Sequence, residues 1–127
     1  MDKKVITSEK APKAIGPYSV AIQTGNLVFT SGQLGIDPAT GSLVPGGIEA
    51  ETRQALTNLR HVLADAESGL EWVVKTIVFL KDMLDFAKMN AVYAEFFTEN
   101  PPARSTVQAA ALPKGGSVEI EAVAILK

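Results

Sequence analysis

The sequence predicts an α+β domain in which two helices cover one face of a mixed β-sheet. Short β-branched and aromatic runs alternate with two segments of helical apolar period, in the order β-β-α-β-α-β-β, with a further short strand near residues 4–6. The chain has 127 residues, the length of one compact domain. We therefore expect a single domain over residues 1–127.

Two β-prone runs open the predicted sheet. Val20–Thr24 and Leu27–Ser31 are separated only by Gly25 and Asn26. This spacing is typical of a tight hairpin with a primed turn, because glycine supplies the positive φ that such a turn requires. The following segment, Asp37–Gly47, is rich in Asp, Pro and Gly and is interpreted as a loop.

The first predicted helix follows this loop. Glu49 and Glu51 favour a helix start because carboxylates stabilise the positive end of the helix dipole, and Gly69 is expected to end the helix. Apolar side chains recur with a helical period at Ala55, Leu56, Leu59, Val62, Leu63 and Ala66. The opposite face is polar and carries His61 beside Asn58, so we interpret His61 as a surface imidazole rather than a general base.

The second half of the chain supplies a central strand, a second helix and two last strands. Trp72–Leu80 is apolar on both faces, as expected of a central strand. Asp85 is a candidate N-cap for the second helix, and a Pro-Pro pair prevents that helix from continuing. Its apolar stripe consists of Phe86, Met89, Tyr93, Phe96 and Phe97. Arg104–Ala109 and Val118–Leu126 are the last strands, and the second of them alternates clearly.

Two helices are too few to cover both faces of this sheet. Apolar residues make up 46% of the chain and charged residues 20%, whereas a typical domain has about 25% charged residues. A small domain needs more polar surface, since its surface is large relative to its volume. We therefore expect the second sheet face to be buried against other copies of the chain.

Composition excludes several kinds of site. The chain has no cysteine and one histidine, which removes disulfides, thiolate nucleophiles and cysteine-ligated metals. Asp82 and Asp85 are interpreted as organising a turn rather than binding a metal. A net charge of -2 without a basic run is not typical of nucleic-acid binding. The apolar runs are shorter than the roughly 20 residues that span a membrane, and no secretory signal is recognisable, so we expect a cytoplasmic protein.

Two charged residues near the last strands are the strongest functional candidates. Arg104 follows a rigid Pro-Pro-Ala run, and its guanidinium suits bidentate binding of a carboxylate. An internal ion pair with Glu119 or Glu121 is an equally supported alternative. Glu119 begins a strand directly after a turn, where its carboxylate can orient a water molecule or shuttle a proton, or can simply be solvated.

Several motifs distributed along nearly the whole chain belong together. They are Ala14-Ile15-Gly16-Pro17-Tyr18-Ser19, Thr30-Ser31-Gly32-Gln33, Asn90-Ala91-Val92-Tyr93, Pro102-Ala103-Arg104-Ser105 and Val118-Glu119-Ile120-Glu121-Ala122. Together they resemble the RidA/YjgF family of reactive-intermediate deaminases, also described as an endoribonuclease L-PSP or translation initiation inhibitor family. The resemblance implies a fold like the trimeric bacterial chorismate mutase, and a homotrimer with a central barrel and clefts between subunits.

The resemblance also implies an activity. Active members hydrolyse 2-imino acids, formed from 2-aminoacrylate or 2-aminocrotonate, to 2-keto acids and ammonia without a metal or cofactor. By matching motif, Arg104 would bind the substrate carboxylate and Glu119 would position the attacking water. The substrate pocket would be lined by Tyr18, Ser31, Gly32, Asn90 and Thr106.

The chain departs from the family pattern at two positions. Pro101 stands where many relatives carry an aromatic or aliphatic residue, and Thr106 stands where several carry cysteine. We expect the first change to alter the rim of the pocket and the second to be tolerated, since the side chain stays small. The alternative functions are an endoribonuclease or translation inhibitor, and a non-catalytic protein that binds small carboxylate ligands.

Overall fold

A mixed sheet with two helices on one face is the architecture of the computed structural model, which describes residues 2–127. The predicted α+β class is therefore confirmed. The elements in chain order are β1 (Lys4–Ile6), β2 (Ala21–Thr24), β3 (Leu27–Thr30), β4 (Gln33–Leu34), β5 (Ile36–Asp37), β6 (Ser42–Leu43), α1 (Gly47–Asp65), β7 (Val73–Leu80), α2 (Phe86–Phe96), β8 (Ala103–Gln108) and β9 (Val118–Ile125).

The main sheet has the strand order β1-β2-β3-β9-β7-β8, and β4 continues along β9 beyond β3. Strands β7 and β8 run parallel because α2 connects them, and all other pairs are antiparallel. The long central strands β7 and β9 pair along most of their length, which makes them the rigid middle of the sheet.

The predicted hairpin is confirmed, with Gly25 at φ 58° and a two-residue connection between β2 and β3. Asn26 has no positive φ, so the turn follows the pattern in which only the first central residue is left-handed. The segment interpreted as a loop, Asp37–Gly47, is in part a small hairpin of β5 and β6. Helix α1 begins at its last residue, Gly47.

The first helix ends earlier than predicted. It stops at Asp65, and Glu67 takes the left-handed conformation at φ 59°. The Ser68 N–H donates to the Leu63 carbonyl at 2.8 Å, which closes a Schellman motif. The prediction that Gly69 ends the helix is therefore wrong, since Gly69 lies in extended backbone at φ −179°.

Two polar residues of α1 face inward. Asn58, which the sequence assigned to the outer face, is completely buried, so that prediction is wrong, and Glu51 of the first turn is buried as well. Each faces backbone groups that need hydrogen bonds, which apolar periodicity does not reveal. His61 is partly exposed, with its Nδ1 3.2 Å from the Lys10 carbonyl oxygen.

The turn before α2 is organised by one of the two predicted aspartates. Asp82 accepts a hydrogen bond from the Leu84 N–H at 2.9 Å. Asp85 occupies the N-cap position of α2, but its side chain makes no capping hydrogen bond.

Strand register assigns each candidate residue to a face of the sheet. Thr76 on β7 lies opposite Arg104 on β8 and Ala122 on β9, and this row faces the helices because Thr76 and Ala122 are buried beneath them. Phe79 lies opposite Glu119, so Glu119 faces the other side of the sheet. The alternation predicted for β9 is confirmed.

The face without helices carries an apolar row across four strands. Its members pair in register from β1 to β9, and Val5 and Phe29 are 54% and 43% exposed. The row consists of Val5, Ile22, Phe29 and Val123. Across residues 2–127, no helix has the length and apolar character needed to cross a membrane.

Candidate active site

The guanidinium of Arg104 is held by two aromatic rings of α2. Its Cζ lies 4.7 Å from the Tyr93 ring centroid and 5.6 Å from that of Phe86. The two aromatic residues are seven positions apart, so they lie on one face of the helix, two turns from each other. Cation–π attraction to both rings orients the planar guanidinium.

Within the described part of the chain, no carboxylate forms a salt bridge with this arginine. Over residues 2–127, the one salt bridge joins Arg53 and Glu95. The internal ion pair between Arg104 and Glu119 or Glu121, which the sequence left open, is therefore absent. Arg104 is available to an anion from outside the chain.

The hydroxyl of Tyr93 is fixed by a residue of the sheet. Its hydroxyl oxygen lies 2.7 Å from Oγ1 of Thr76, which is completely buried. Burial raises the pKa of Tyr93, and the opposing influences of the Thr76 hydrogen bond and the Arg104 charge are smaller. The phenol therefore stays neutral, so Tyr93 interacts with Arg104 through the face of its aromatic ring and not as a negatively charged partner.

Two buried oxygens without hydrogen-bond partners lie on the two elements that carry Arg104 and its aromatic neighbours. They are Oδ1 of Asn90 and Oγ1 of Thr106. Asn90 is on the same face of α2 as Phe86, one turn along, and Thr106 is two residues beyond Arg104 on the same face of β8. Buried polar groups in folded proteins normally have partners, so these two are suited to receive a polar ligand.

These residues form the arginine half-site, which consists of Arg104, Asn90, Thr106, Phe86 and Tyr93. The sequence pointed to the first three of them. The roles of Phe86 and Tyr93 were missed, because an aromatic stripe with helical spacing is indistinguishable from an ordinary core stripe. Phe86 is 38% exposed, which a purely structural core position would not require.

Glu119 lies in a separate, small cavity of about 50 Å³ on the other face of the sheet. Tyr18 and Gly32 line this cavity with it, together with Leu34 and Ile36 from the segment that follows. We call Tyr18, Gly32 and Glu119 the glutamate half-site. The structure thus brings together three of the residues that the sequence assigned to one pocket.

Gly32 is required by the closeness of Glu119. A Cβ atom on Gly32 would lie 2.7 Å from both Cγ and Cδ of Glu119, a distance that real side chains do not adopt. The preceding Ser31 anchors this backbone. Its Oγ donates to the Ser19 carbonyl at 2.6 Å, and its N–H donates to the Val20 carbonyl at 2.9 Å. Ser31 therefore supports the cavity wall through backbone contacts.

Burial raises the pKa of Glu119, and the neighbouring negative charge of Glu121 raises it further. The two carboxyl groups are two residues apart on β9 and so share the face without helices. A carboxyl group that keeps its proton to higher pH than usual is suited to exchange protons with a bound water.

The two half-sites do not meet within one chain. Arg104 faces the helices from the edge strand β8, whereas Glu119 faces the opposite side from β9, and β7 lies between these strands. A single ligand can contact both groups only where two copies of the chain meet. Within residues 2–127 there is no cluster of three or more His, Asp or Glu side chains that could hold a metal ion.

Comparison with known proteins gives a consistent assignment. The sequence matches the family described as Endoribonuclease L-PSP over residues 8–126. A RutC family protein of Pyrococcus abyssi is 51% identical over 124 residues, which cover 98% of each chain. The 2-iminobutanoate/2-iminopropanoate deaminase of Bos taurus is 51% identical over 123 residues, covering 97% of this chain and 90% of the bovine protein.

Solved structures agree with the sequence comparison. The structure of RidA from the Antarctic bacterium Psychrobacter sp. PAMC 21119 superposes with a TM-score of 0.94 at 45% identity, covering 97% of this chain and 99% of the other. The structure of Escherichia coli TdcF with bound serine has a TM-score of 0.93 at 40% identity and covers 98% and 99% of the two chains.

Proposed function

The chain belongs to the endoribonuclease L-PSP family, which includes the RidA proteins, and we propose that it hydrolyses reactive 2-imino acids to 2-keto acids and ammonia. The observation that carries this proposal is the state of Arg104, whose guanidinium lies over two aromatic rings and forms no salt bridge with a carboxylate of residues 2–127. The bovine deaminase, 51% identical over 123 residues, supports the same substrate class.

Arg104 anchors the substrate by its carboxylate. A conjugated 2-imino acid is planar and carries its negative charge at one end, which matches the planar fork of a guanidinium. Two parallel hydrogen bonds fix both the position and the plane of the substrate. The partnerless Oδ1 of Asn90 can accept a hydrogen bond from the bound molecule, and the partnerless hydroxyl of Thr106 can donate or accept one.

Glu119 acts at the other end of the substrate, where it orients a water molecule toward the imine carbon. The water oxygen bonds to C2 as the Glu119 carboxylate takes one water proton; the π pair of the C=N bond moves to nitrogen, which receives that proton from Glu119, giving a carbinolamine. Glu119 then passes the hydroxyl proton to the amino nitrogen, the C–N bond breaks with its electron pair on nitrogen, ammonia leaves, and the hydroxyl oxygen becomes the keto oxygen. The imine is already electrophilic, so an oriented water suffices as the nucleophile.

The complete site requires two chains, and we propose a homotrimer with one site at each subunit boundary. The arginine half-site lies on an edge strand, β8, and the glutamate half-site opens on the sheet face that carries the exposed apolar row. Burying that row against a neighbour removes apolar surface from water. In a closed cyclic assembly each arginine half-site meets the glutamate half-site of the next chain.

Complementation between two inactive variants tests this proposal. Arg104→Ala and Glu119→Gln are made separately and also co-expressed, and pyruvate and ammonia release from 2-aminoacrylate generated in situ is measured. Each variant alone is expected to be inactive. Random co-assembly in a cyclic oligomer regains about a quarter of the parent activity, since a site then needs an intact arginine from one chain and an intact glutamate from the next.

Two results would overturn parts of the proposal. A parent protein that does not accelerate imine hydrolysis over buffer rejects the deaminase function. Co-expressed variants that are no more active than the separate ones reject the shared site, as does a light-scattering mass equal to the 13.4 kDa of one chain.

A second candidate function is binding of a small amino or keto acid without turnover, which the serine bound to Escherichia coli TdcF favours. Saturable binding of serine by calorimetry, lost in Arg104→Ala and unaccompanied by any imine hydrolysis, would support this alternative. RNA cleavage by the same preparation, lost in the same variant, would instead support the endoribonuclease description of the family.

A further inference from the structure

A carboxylate that the mechanism does not use is buried on the inner face of α1. Glu51 is only 7% exposed, although it lies on a helix with a fully solvated outer side. The one salt bridge over residues 2–127 joins two other residues, so Glu51 has no cationic partner. Burying a carboxyl group without a cation is unfavourable unless hydrogen bonds replace its hydration.

Both oxygens of Glu51 bind a single residue, Ser117. Its backbone N–H donates to Oε1 at 2.8 Å, and its hydroxyl donates to Oε2 at 3.0 Å. These two contacts fix the position and the orientation of Ser117. On its other side, the Ser117 carbonyl accepts from the Lys81 N–H at 3.0 Å.

Ser117 immediately precedes β9 and lies two residues before Glu119. Ser117 is held between Glu51 and the Lys81 N–H, so it fixes the point at which β9 begins. A displacement of Ser117 therefore shifts the first residues of that strand, Glu119 among them. The turn before Ser117 is closely packed, because a Cβ on Gly116 would lie 2.8 Å from a methyl carbon of Leu34.

The same face of α1 also holds the opposite wall of the Glu119 cavity. Gly35 lies directly on the helix backbone, where a Cβ would be 2.6 Å from Cα of Glu51. Asn58 lies about two turns after Glu51 on α1. Its side-chain amide donates to the carbonyl of Leu34 at 3.2 Å and to that of Ile36 at 2.8 Å. Both of these residues line the cavity.

We propose that Glu51 is a positioning residue for the reaction, which sets the reach of Glu119 toward the substrate through its two hydrogen bonds to Ser117. The inference rests on the proposed function. Because Glu51 acts on the water-orienting group and not on the carboxylate anchor, its loss lowers kcat and leaves KM for the imino acid nearly unchanged.

The test uses three full-length variants with 2-iminobutanoate generated in situ as substrate. Glu51→Ala removes both hydrogen bonds, and kcat is expected to fall by about tenfold or more, as a displacement of under 1 Å can cause. Glu51→Gln keeps the shape, with its oxygen accepting from the Ser117 N–H and its amide donating to the hydroxyl, so it retains most of kcat. Thr52→Val is the matched control, since Thr52 is fully buried on the same helix and its hydroxyl has no partner.

Three results would overturn the inference in a parent that is active. One is an unchanged kcat in folded Glu51→Ala, the second is a change confined to KM, and the third is Gln substitution as harmful as Ala. If Glu51→Ala does not fold, Ser117→Ala, which removes only the hydroxyl bond, must show a smaller fall in kcat at constant KM.

Amide hydrogen exchange separates this inference from the proposed function. If the parent is inactive, the deaminase proposal fails, while the positional role of Glu51 is still measured by exchange at Ser117 and Glu119. Faster exchange at both amides in Glu51→Ala but not in Thr52→Val supports the role. Equal exchange in the two variants rejects it.

Discussion

The two half-sites hold their charged groups in different ways. Arg104 is oriented by side chains, with its guanidinium carbon 4.7 Å and 5.6 Å from two ring centroids. Glu119 is positioned by backbone, packed so closely against Gly32 that a single added carbon would lie 2.7 Å from it. An anchor that forms two hydrogen bonds tolerates small shifts of its stem, whereas a group that aims a water does not.

The strands explain this difference. Glu119 belongs to β9, which is paired on both sides, by β7 and by β4 at this level. Arg104 belongs to β8, which has a neighbour on one side only. A strand paired on both sides can place a group accurately within one chain, while an edge strand leaves its outer side available to another molecule. The two half-sites therefore differ in how much of their surroundings a single chain supplies.

The largest effect is expected where the anchor is removed. Arg104→Ala deletes two charge-assisted hydrogen bonds of about 1.5–3 kcal/mol each, which corresponds to a fall in kcat/KM of roughly 10²–10⁴-fold. Arg104→Lys keeps the charge but loses the planar fork and the ring stacking, so it recovers little of this loss. Steady-state hydrolysis of 2-iminobutanoate measures both variants.

Arg104→Lys also distinguishes geometry from charge. If Arg104→Lys retains most of the parent kcat/KM, the anchor needs only a positive charge. The orientation of the guanidinium by the two rings is then not required for activity. Circular dichroism of both variants checks that the fold is unchanged.

The next largest effect is expected at the glutamate half-site. In Gly32→Ala the new Cβ would lie 2.7 Å from Cγ and Cδ of the half-buried Glu119, so that side chain must move, and a displacement of about 1 Å lowers kcat by roughly a hundredfold. Gly69→Ala is a closely matched control, because its Cβ would lie 2.6 Å from the carboxylate of Glu71. Glu71 is exposed and can rotate away, so this variant keeps the parent kcat.

The pair of glycine variants sharpens the comparison, since both create the same clash with a glutamate and differ in whether that glutamate is confined. Equal activities of the two variants would show that Glu119 is free to move. The role of the backbone in positioning it would then have to be given up.

Residue patterns predicted the order of the longer elements and the faces of β9, because apolar alternation follows directly from which side of a strand is buried. They missed the short strands β4 to β6, misplaced Asn58 and gave no sign that Glu51 is buried. The burial of these two residues depends on carbonyl and amide groups supplied by segments distant in the chain, and a local pattern contains no sign of them.

The division of the candidate site residues between two faces of the sheet was not predictable from the sequence. Motifs identified Tyr18, Gly32, Arg104 and Glu119 as one group, while register places Arg104 and Glu119 on opposite faces. That separation follows from the parallel pairing of β8 with β7 and the antiparallel pairing of β9 with β7. Pairing partners are long-range facts, which composition and periodicity do not contain.

The smallest effect is expected from a change of charge beside Glu119. Burial is the main cause that raises the pKa of Glu119, and the negative charge of Glu121 adds to it. If the ionised form of Glu119 takes up the water proton, kcat/KM rises with pH through this raised pKa, so the acid limb lies above the ordinary value of 4.5. Glu121→Gln lowers the pKa of Glu119, and the limb moves toward lower pH while the plateau rate is unchanged.

The pH dependence of stability tests the direction of the Glu119 pKa shift without any assay of activity. A carboxyl group whose pKa is raised on folding contributes its full stability below pH 4.5, where both states are protonated, and loses it as pH rises through the raised value. Glu119→Gln removes this loss, so the variant and the parent unfold alike at low pH and the variant is the more stable one at neutral pH. A glutamine variant that is less stable than the parent at neutral pH would mean that ionised Glu119 is stabilised in the folded chain, and the acid limb should then lie below 4.5 instead.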